Sequence, residues 1–160
     1  IASDIQGLMM GGWFRFDDAT PAANELMVGK RGNGTSMAYH VRRGTGGNVV
    51  FEVSGDGTAL VIVTATNFGA PGADRWIHVV CRYIASTELK IWINGVANIN
   101  AASVPASLFD GTADFTIGAA NGSTWQMDGR ASRVFLFGSA PPDSVAERMW
   151  RYQKALYGVT

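Results

Sequence analysis

The residues of this 160-residue chain with most scope for chemistry are aromatic and polar side chains that share strand faces. Leu89 to Asn94 alternates Leu89, Ile91 and Ile93 against Lys90, Trp92 and Asn94, which sets an indole between an amine and an amide on the non-core face. Trp125 follows the polar loop Asn121-Gly122-Ser123-Thr124. By the same period of two, His40, Arg42, Glu52 and Arg82 fall on faces opposite the apolar ones of their strands. An aromatic face packs on the C–H side of a sugar ring, and planar donors and acceptors take its hydroxyls. His40, Arg42, Glu52, Arg82, Lys90, Trp92, Asn94 and Trp125 are therefore the candidate ligand-binding residues. The competing reading has the tryptophans lining a second apolar layer, or lying under a loop or a partner subunit.

Nucleophilic chemistry is poorly supplied. Neither His40 nor His78 is accompanied by a nucleophile-elbow sequence. His78 lies inside a strand, where a histidine satisfies local hydrogen bonds. Cys81 alternates with Ile77 and Val79, so its thiol reads as a small apolar group of the core. As the only cysteine it excludes an internal disulfide and a cysteine-built metal cluster. Trp13 and Trp76 read as structural, and Trp150 as a contribution to an interface.

The elements that must position these residues read as strands. Apolar residues make up 47% of the chain and charged ones 16%, with 20 glycines, a composition for a folded, turn-rich protein. Its length suits one domain over residues 1–160. Alternating runs recur, separated by Gly, Asn, Asp and Pro clusters. They are Gly12 to Phe16, Glu25 to Lys30, Met37 to Arg42, Asn48 to Ser54, Thr58 to Thr66, Trp76 to Ile84, Leu89 to Asn94, Phe115 to Ala119, Trp125 to Asp128 and Ser132 to Phe137. Gly32-Asn33-Gly34, Asp56-Gly57 and Asn94-Gly95 read as turns. After Pro141-Pro142 the period becomes helical, with Val145, Met149, Tyr152 and Leu156 on one stripe. Ser144 and Glu147 form a capping-box pattern and Gly158 a stop, and the helix is expected on the sandwich edge.

Thirteen basic and thirteen acidic residues cancel, so no net field draws nucleic acid or an anionic membrane. No apolar run approaches the roughly 18 residues that span a bilayer. No signal segment is visible, and the start at Ile1 reads as a processed chain or a piece of a longer one.

Four pieces, in order, carry a resemblance. They are Gly11-Gly12-Trp13-Phe14-Arg15, then Trp76-Ile77-His78-Val79-Val80-Cys81-Arg82-Tyr83, then Leu89-Lys90-Ile91-Trp92-Ile93-Asn94-Gly95-Val96. The fourth runs from Phe115-Thr116-Ile117-Gly118 through Gly129-Arg130 to Val134-Phe135-Leu136-Phe137. Together they resemble the laminin G-like jelly-roll family of the concanavalin A-like lectin and glucanase superfamily. The resemblance implies an all-β fold, a two-sheet antiparallel jelly-roll β-sandwich, here with a short C-terminal helix. The chain departs from the family in having only Ile1 to Leu8 for a strand before the tryptophan strand, and Ala131-Ser132 where acidic residues often follow the Gly-Arg pair.

The enzyme activity the resemblance implies is glycoside hydrolysis, which needs two carboxylates about 5 Å apart for retention and farther for inversion. The glutamates, Glu25, Glu52, Glu88 and Glu147, are scattered, and no strand carries a close acidic pair, so no catalytic residue is expected. No cofactor is expected either. Calcium is the metal to weigh, since related sandwiches hold it at loop acids, and Asp17, Asp18, Asp56, Asp110 and Asp128 are the acids available. The leading expectation is a non-catalytic, carbohydrate-binding module of an extracellular or virion-surface protein, with a glycan or a protein surface as partner. The alternative is a decorating sandwich of a phage capsid or tail fibre, which associates with itself or packs on a parent chain.

Overall fold

The computed structural model describes residues 5–32, 36–65, 73–120 and 124–159. Asn33 and Gly34 of the first expected turn, Thr66, and Asn121 to Ser123 of the loop before Trp125 lie outside them, as do Ile1 to Asp4. Among the described residues, ten strands form two five-stranded antiparallel sheets. They are β1 (Gly7–Phe16), β2 (Glu25–Arg31), β3 (Met37–Arg43), β4 (Val49–Val53), β5 (Val61–Thr64), β6 (Trp76–Ile84), β7 (Glu88–Ile93), β8 (Val96–Asn100), β9 (Phe115–Ile117) and β10 (Gly129–Phe137). The first sheet, sheet A, runs in the order β10-β1-β6-β7-β8, and the second, sheet B, in the order β5-β4-β3-β2-β9. This is the two-sheet antiparallel jelly-roll sandwich that the family resemblance implies.

The core lies between the sheets, where the inward residues of each strand meet: Phe14 and Phe16 from β1, Val41 from β3, Phe51 and Val53 from β4, Val79 and Cys81 from β6, Ile91 and Ile93 from β7. On β4 the alternation holds as read, with Val49, Phe51 and Val53 in this core and Glu52 turned from it. The Asn94-Gly95 turn joins β7 to β8 with both residues at positive φ, 50° and 82°, as a tight hairpin of this twist requires.

Four expectations need correction. The run Thr58 to Thr66 contributes only Val61–Thr64, because Asp56 holds the preceding segment in a turn, accepting hydrogen bonds from the Thr58 and Ala59 amides. Trp125 to Asp128 is not a strand: Trp125 sits at φ 54°, which breaks the extended backbone. β8 is not among the runs expected; Val96–Asn100 exposes Val96 and Ile99 and has no buried face to give it a clear period. The strand that was expected to begin at Gly12 begins at Gly7, so part of the segment before the tryptophan strand belongs to that strand.

The helix α1 (Asp143–Gln153), continued by a 3-10 turn (Lys154–Tyr157), lies on the outer face of sheet A rather than on an edge. Its start has no side-chain cap, so Ser144 and Glu147 form no capping box; Pro142 precedes it in an extended conformation. Gly158 ends the 3-10 turn at φ 67°, as a left-handed stop. Ala146 packs with Met9, Val80 and Trp92 in a second apolar layer. Trp150 and Tyr157 stack on Trp13 at 5.7 and 4.0 Å between ring centroids, and Gln153 accepts the Trp13 indole hydrogen bond at 2.7 Å. Gly95 makes room for this docking, because a Cβ there would stand 2.5 Å from Trp150 Cδ1.

His78 lies under this layer, its ring 4.9 Å from that of Trp13. Burial pulls its pKa down to about 4. An unfolded chain takes up that proton near pH 6.5, so between pH 6.5 and 4 the unfolded state binds more protons than the folded one. The stability present above pH 6.5 is therefore lost as pH falls towards 4, by about 3 kcal/mol from this residue. Urea titrations at pH 7, 5.5 and 4 on the wild type and on His78→Phe check this. The variant is expected to have the shallower dependence on pH, and parallel dependences would refute the assignment.

Candidate functional site

The outer face of sheet B gathers five side chains from three strands and a loop. His40 and Arg42 alternate with core residues on β3 and so point away from the core, and Glu52 on β4 is directly opposite His40 in the ladder. Arg31 ends β2, and Trp125 comes from the segment leading to β10. Trp125 is fixed by its backbone, whose carbonyl accepts the Leu26 amide at 2.8 Å. Gly29 on β2 faces His40, and a Cβ there would come within 2.5 Å of the His40 Cα, so the missing side chain lets the imidazole lie across β2.

Glu52 is the anionic centre of the face. Arg42 donates from Nε and Nη2 to its Oε1 at 2.9 and 2.7 Å, and His40 Nε2 lies 2.6 Å from its Oε2. Burial alone would raise the Glu52 pKa, but the contacts with His40 and Arg42 outweigh it and bring the value down to about 2. Burial lowers the pKa of His40, against the pull of Glu52, so the imidazole is neutral at pH 7. Arg42 also donates to Asn24 Oδ1 at 3.2 Å. The Arg31 guanidinium carbon lies over the Trp125 ring, 3.7 Å from its centroid, and the His40 ring is 6.0 Å away on a tilt. Glu52 thus stays ionised across the physiological range, and the groups that touch it are cationic or imidazole, an environment for fixing a carboxylate and not for cycling a proton. The half-exposed Trp125 and the Arg31 guanidinium form an amphipathic surface beside the Arg42 and Asn24 polar groups.

A family model described as the concanavalin A-like lectin/glucanases superfamily matches residues 10–143. The chain belongs to this superfamily. No curated protein sequence matches it. Among solved structures, it is similar to a candidate carbohydrate-binding protein from Bacteroides ovatus (TM-score 0.68, 18% identity, 90% of this chain and 40% of that one). It is also similar to the binding domain of botulinum neurotoxin DC in complex with SialylT (TM-score 0.63, 13% identity, 92% of this chain and 36% of that one). A third is a heptameric SAP-like pentraxin from Limulus polyphemus (TM-score 0.67, 8% identity, 89% of this chain and 68% of that one). This superfamily member thus spans well under half the length of the first two.

Within this member of the superfamily, the residues singled out in the sequence separate onto two sheets. His40, Arg42, Glu52 and Trp125 come together on sheet B, as described. Arg82, Lys90 and Trp92 lie on the outer face of sheet A beneath α1. Trp92 is 2% exposed, and Arg82 and Lys90 are tied to Asp143 of α1 at 2.6 and 2.5 Å, with Arg82 also bound to Glu88. A ring covered by a helix offers no face to a sugar, so Trp92 is corrected to a packing residue, with Arg82 and Lys90 anchoring the helix above it. Asn94 turns its side chain to the His78 amide, accepting a hydrogen bond at 2.8 Å. Arg31 and Asn24 are the members of the sheet B face that sequence reading missed.

The loop acids weighed for calcium are engaged with protein donors where their contacts are described. Asp18 binds Arg43, Asp56 holds its own turn, and Asp110 binds Lys30 at 3.0 Å. Asp17 lies 3.8 Å from Arg15. Among the described residues no three His, Cys, Asp or Glu side chains converge as a cation site.

Proposed function

We propose that this domain is a non-catalytic recognition module for carbohydrate, carried by an extracellular or virion-surface protein, and that sheet B's outer face is its binding surface. The observation that carries the reading is the Trp125–Arg31 platform beside Arg42, Glu52 and Asn24, which pairs a flat amphipathic surface with fixed planar hydrogen-bonding groups. Membership of a superfamily that includes lectins supports it, as does likeness in fold to binding domains. The low pKa of Glu52 removes it as a general acid, the protonated half of the carboxyl pair that glycoside hydrolysis uses.

A glycan array of the domain, with and without calcium, tests the reading. Trp125 occupies a left-handed backbone position, so Trp125→Gly removes the ring and relieves that backbone. Binding to any hit is expected to weaken about tenfold or more in Trp125→Gly, with urea stability held near that of the wild type. A well-folded wild type that binds nothing on the array would overturn it.

A second reading, the decorating sandwich, rests on apolar side chains left exposed on edge strands and on α1's continuation: Val96 and Ile99 on β8, Phe115 and Ile117 on β9, and Leu156. Light scattering separates the two, since assembly into a defined oligomer favours the second.

A further inference from the structure

We propose that the ligand of the sheet B face is an anionic saccharide whose carboxylate or sulfate group pairs with Arg31. This rests on the carbohydrate reading of the same face and specifies its ligand. Arg15, Arg31, Arg42, Arg43 and Arg82 are the arginines drawn into the fold. Arg15 is paired with Asp74, Arg42 with Glu52, Arg43 with Glu25 and Asp18, and Arg82 with Glu88 and Asp143. Among the described residues, Arg31 differs from all of them. It meets no carboxylate and makes no side-chain hydrogen bond, and its Nη1 is shut off from solvent. What it touches is the Trp125 ring.

The charges on the face do not cancel. Arg31 and Arg42 are cationic, Glu52 is anionic and already bound to Arg42 and His40, and His40 is neutral. One half-buried positive charge is left over, seated against the Trp125 ring. Burying a cation without its counter-ion is costly, and an oxyanion in the guanidinium plane removes that cost through two parallel hydrogen bonds. Contact with the ring restrains the guanidinium in advance, so less freedom is lost when the anion arrives. Trp125, Arg42 and Asn24 surround this point with the apolar surface and polar groups suited to the rest of a sugar, which a free inorganic anion would leave unused.

The test uses matched oligosaccharides, each neutral or ending in a glucuronate, a sialate or a sulfate ester, against the wild-type chain, Arg31→Gln and Arg31→Lys. The wild type is expected to bind at least one class of anionic member about tenfold or more tightly than its neutral parent, as a charge-assisted pair predicts. In Arg31→Gln that preference falls to about onefold, and Arg31→Lys keeps part of it. The carboxylate and sulfate arms tell which group is bound. Competition by free glucuronate against glucose on the wild type, where glucuronate is expected to win by about tenfold or more, needs no variant to fold. Trp125-dependent binding of neutral glycans without any anionic preference, or a preference that survives in Arg31→Gln, overturns this proposal and leaves the carbohydrate reading standing. A blank array overturns both.

Discussion

Arg43→Met is expected to destabilise the domain by about 3–5 kcal/mol, more than any single change on the outer face of sheet B, because it strands a carboxylate inside the sandwich. Arg43 is fully buried at the end of β3, over the Phe16 ring at 4.3 Å. Its Nη1 donates to Asp18 Oδ1 at 2.7 Å and to Glu25 Oε2 at 3.0 Å, and its Nη2 donates to the Asp18 carbonyl. Glu25 is 4% exposed and takes the Asp128 amide on its other oxygen, so the network ties β2 and β3 to the loops after β1 and before β10. Burial raises the Glu25 pKa, while the Asp128 amide and Arg43 oppose the rise. Without Arg43 the carboxyl must take a proton or face an apolar interior as an anion. Glu25→Gln added to Arg43→Met keeps the acceptor for Asp128 and removes the charge, and is expected to recover half of the loss or more. Urea denaturation of the two variants measures both quantities. A single-variant cost under about 1 kcal/mol would show that the pair is not holding this end of the fold.

The second large effect is expected from Trp92→Ala, at about 3–5 kcal/mol, read as a fall in melting temperature of roughly 10 °C. The ring fills the layer between sheet A and α1 with Met9, Val80 and Ala146, and the Arg82 and Lys90 cations lie 5.3 and 5.1 Å from its centroid. Removing it leaves a cavity that the strands beneath cannot close. Any glycan affinity of the folded fraction is expected to be unchanged, the reverse of the Trp125→Gly pattern. Loss of affinity without loss of stability would return Trp92 to the binding residues.

These two tryptophans show what the sequence could and could not deliver. Alternation placed Trp92, Lys90 and Arg82 off the core face, and in the structure they are off it. What alternation cannot carry is the destination of a helix fifty residues later, and that helix decides whether the outer face of sheet A meets water. The strands themselves were legible wherever one face is core: β4, β6 and β7 lie within a residue or two of the ends read from their apolar period. β8 was not, since its exposed Val96 and Ile99 give no such period. On the outer face of sheet B, His40, Arg42 and Glu52 alternate with core residues, and their period shows it. Arg31 was missed because the pairing of β2 with β3 slips between Lys30 and Arg31, and such a bulge re-aims one side chain without leaving a mark in residue types. Arg43 was missed differently. Its period puts it on the core face, and a charge there reads as a strand end until Glu25 and Asp18 are seen beside it.

Cys81 sits on β6, paired with Met10 of β1 on one side and Ile91 of β7 on the other, fully buried and with a thiol pKa raised by that burial. Its thiol points into the core between the two sheets, so the sheets must part before a reagent can reach the sulfur. The lone cysteine is thus a built-in clock for whole-domain opening: the rate at which a thiol reagent labels it counts excursions to the unfolded state without any added probe.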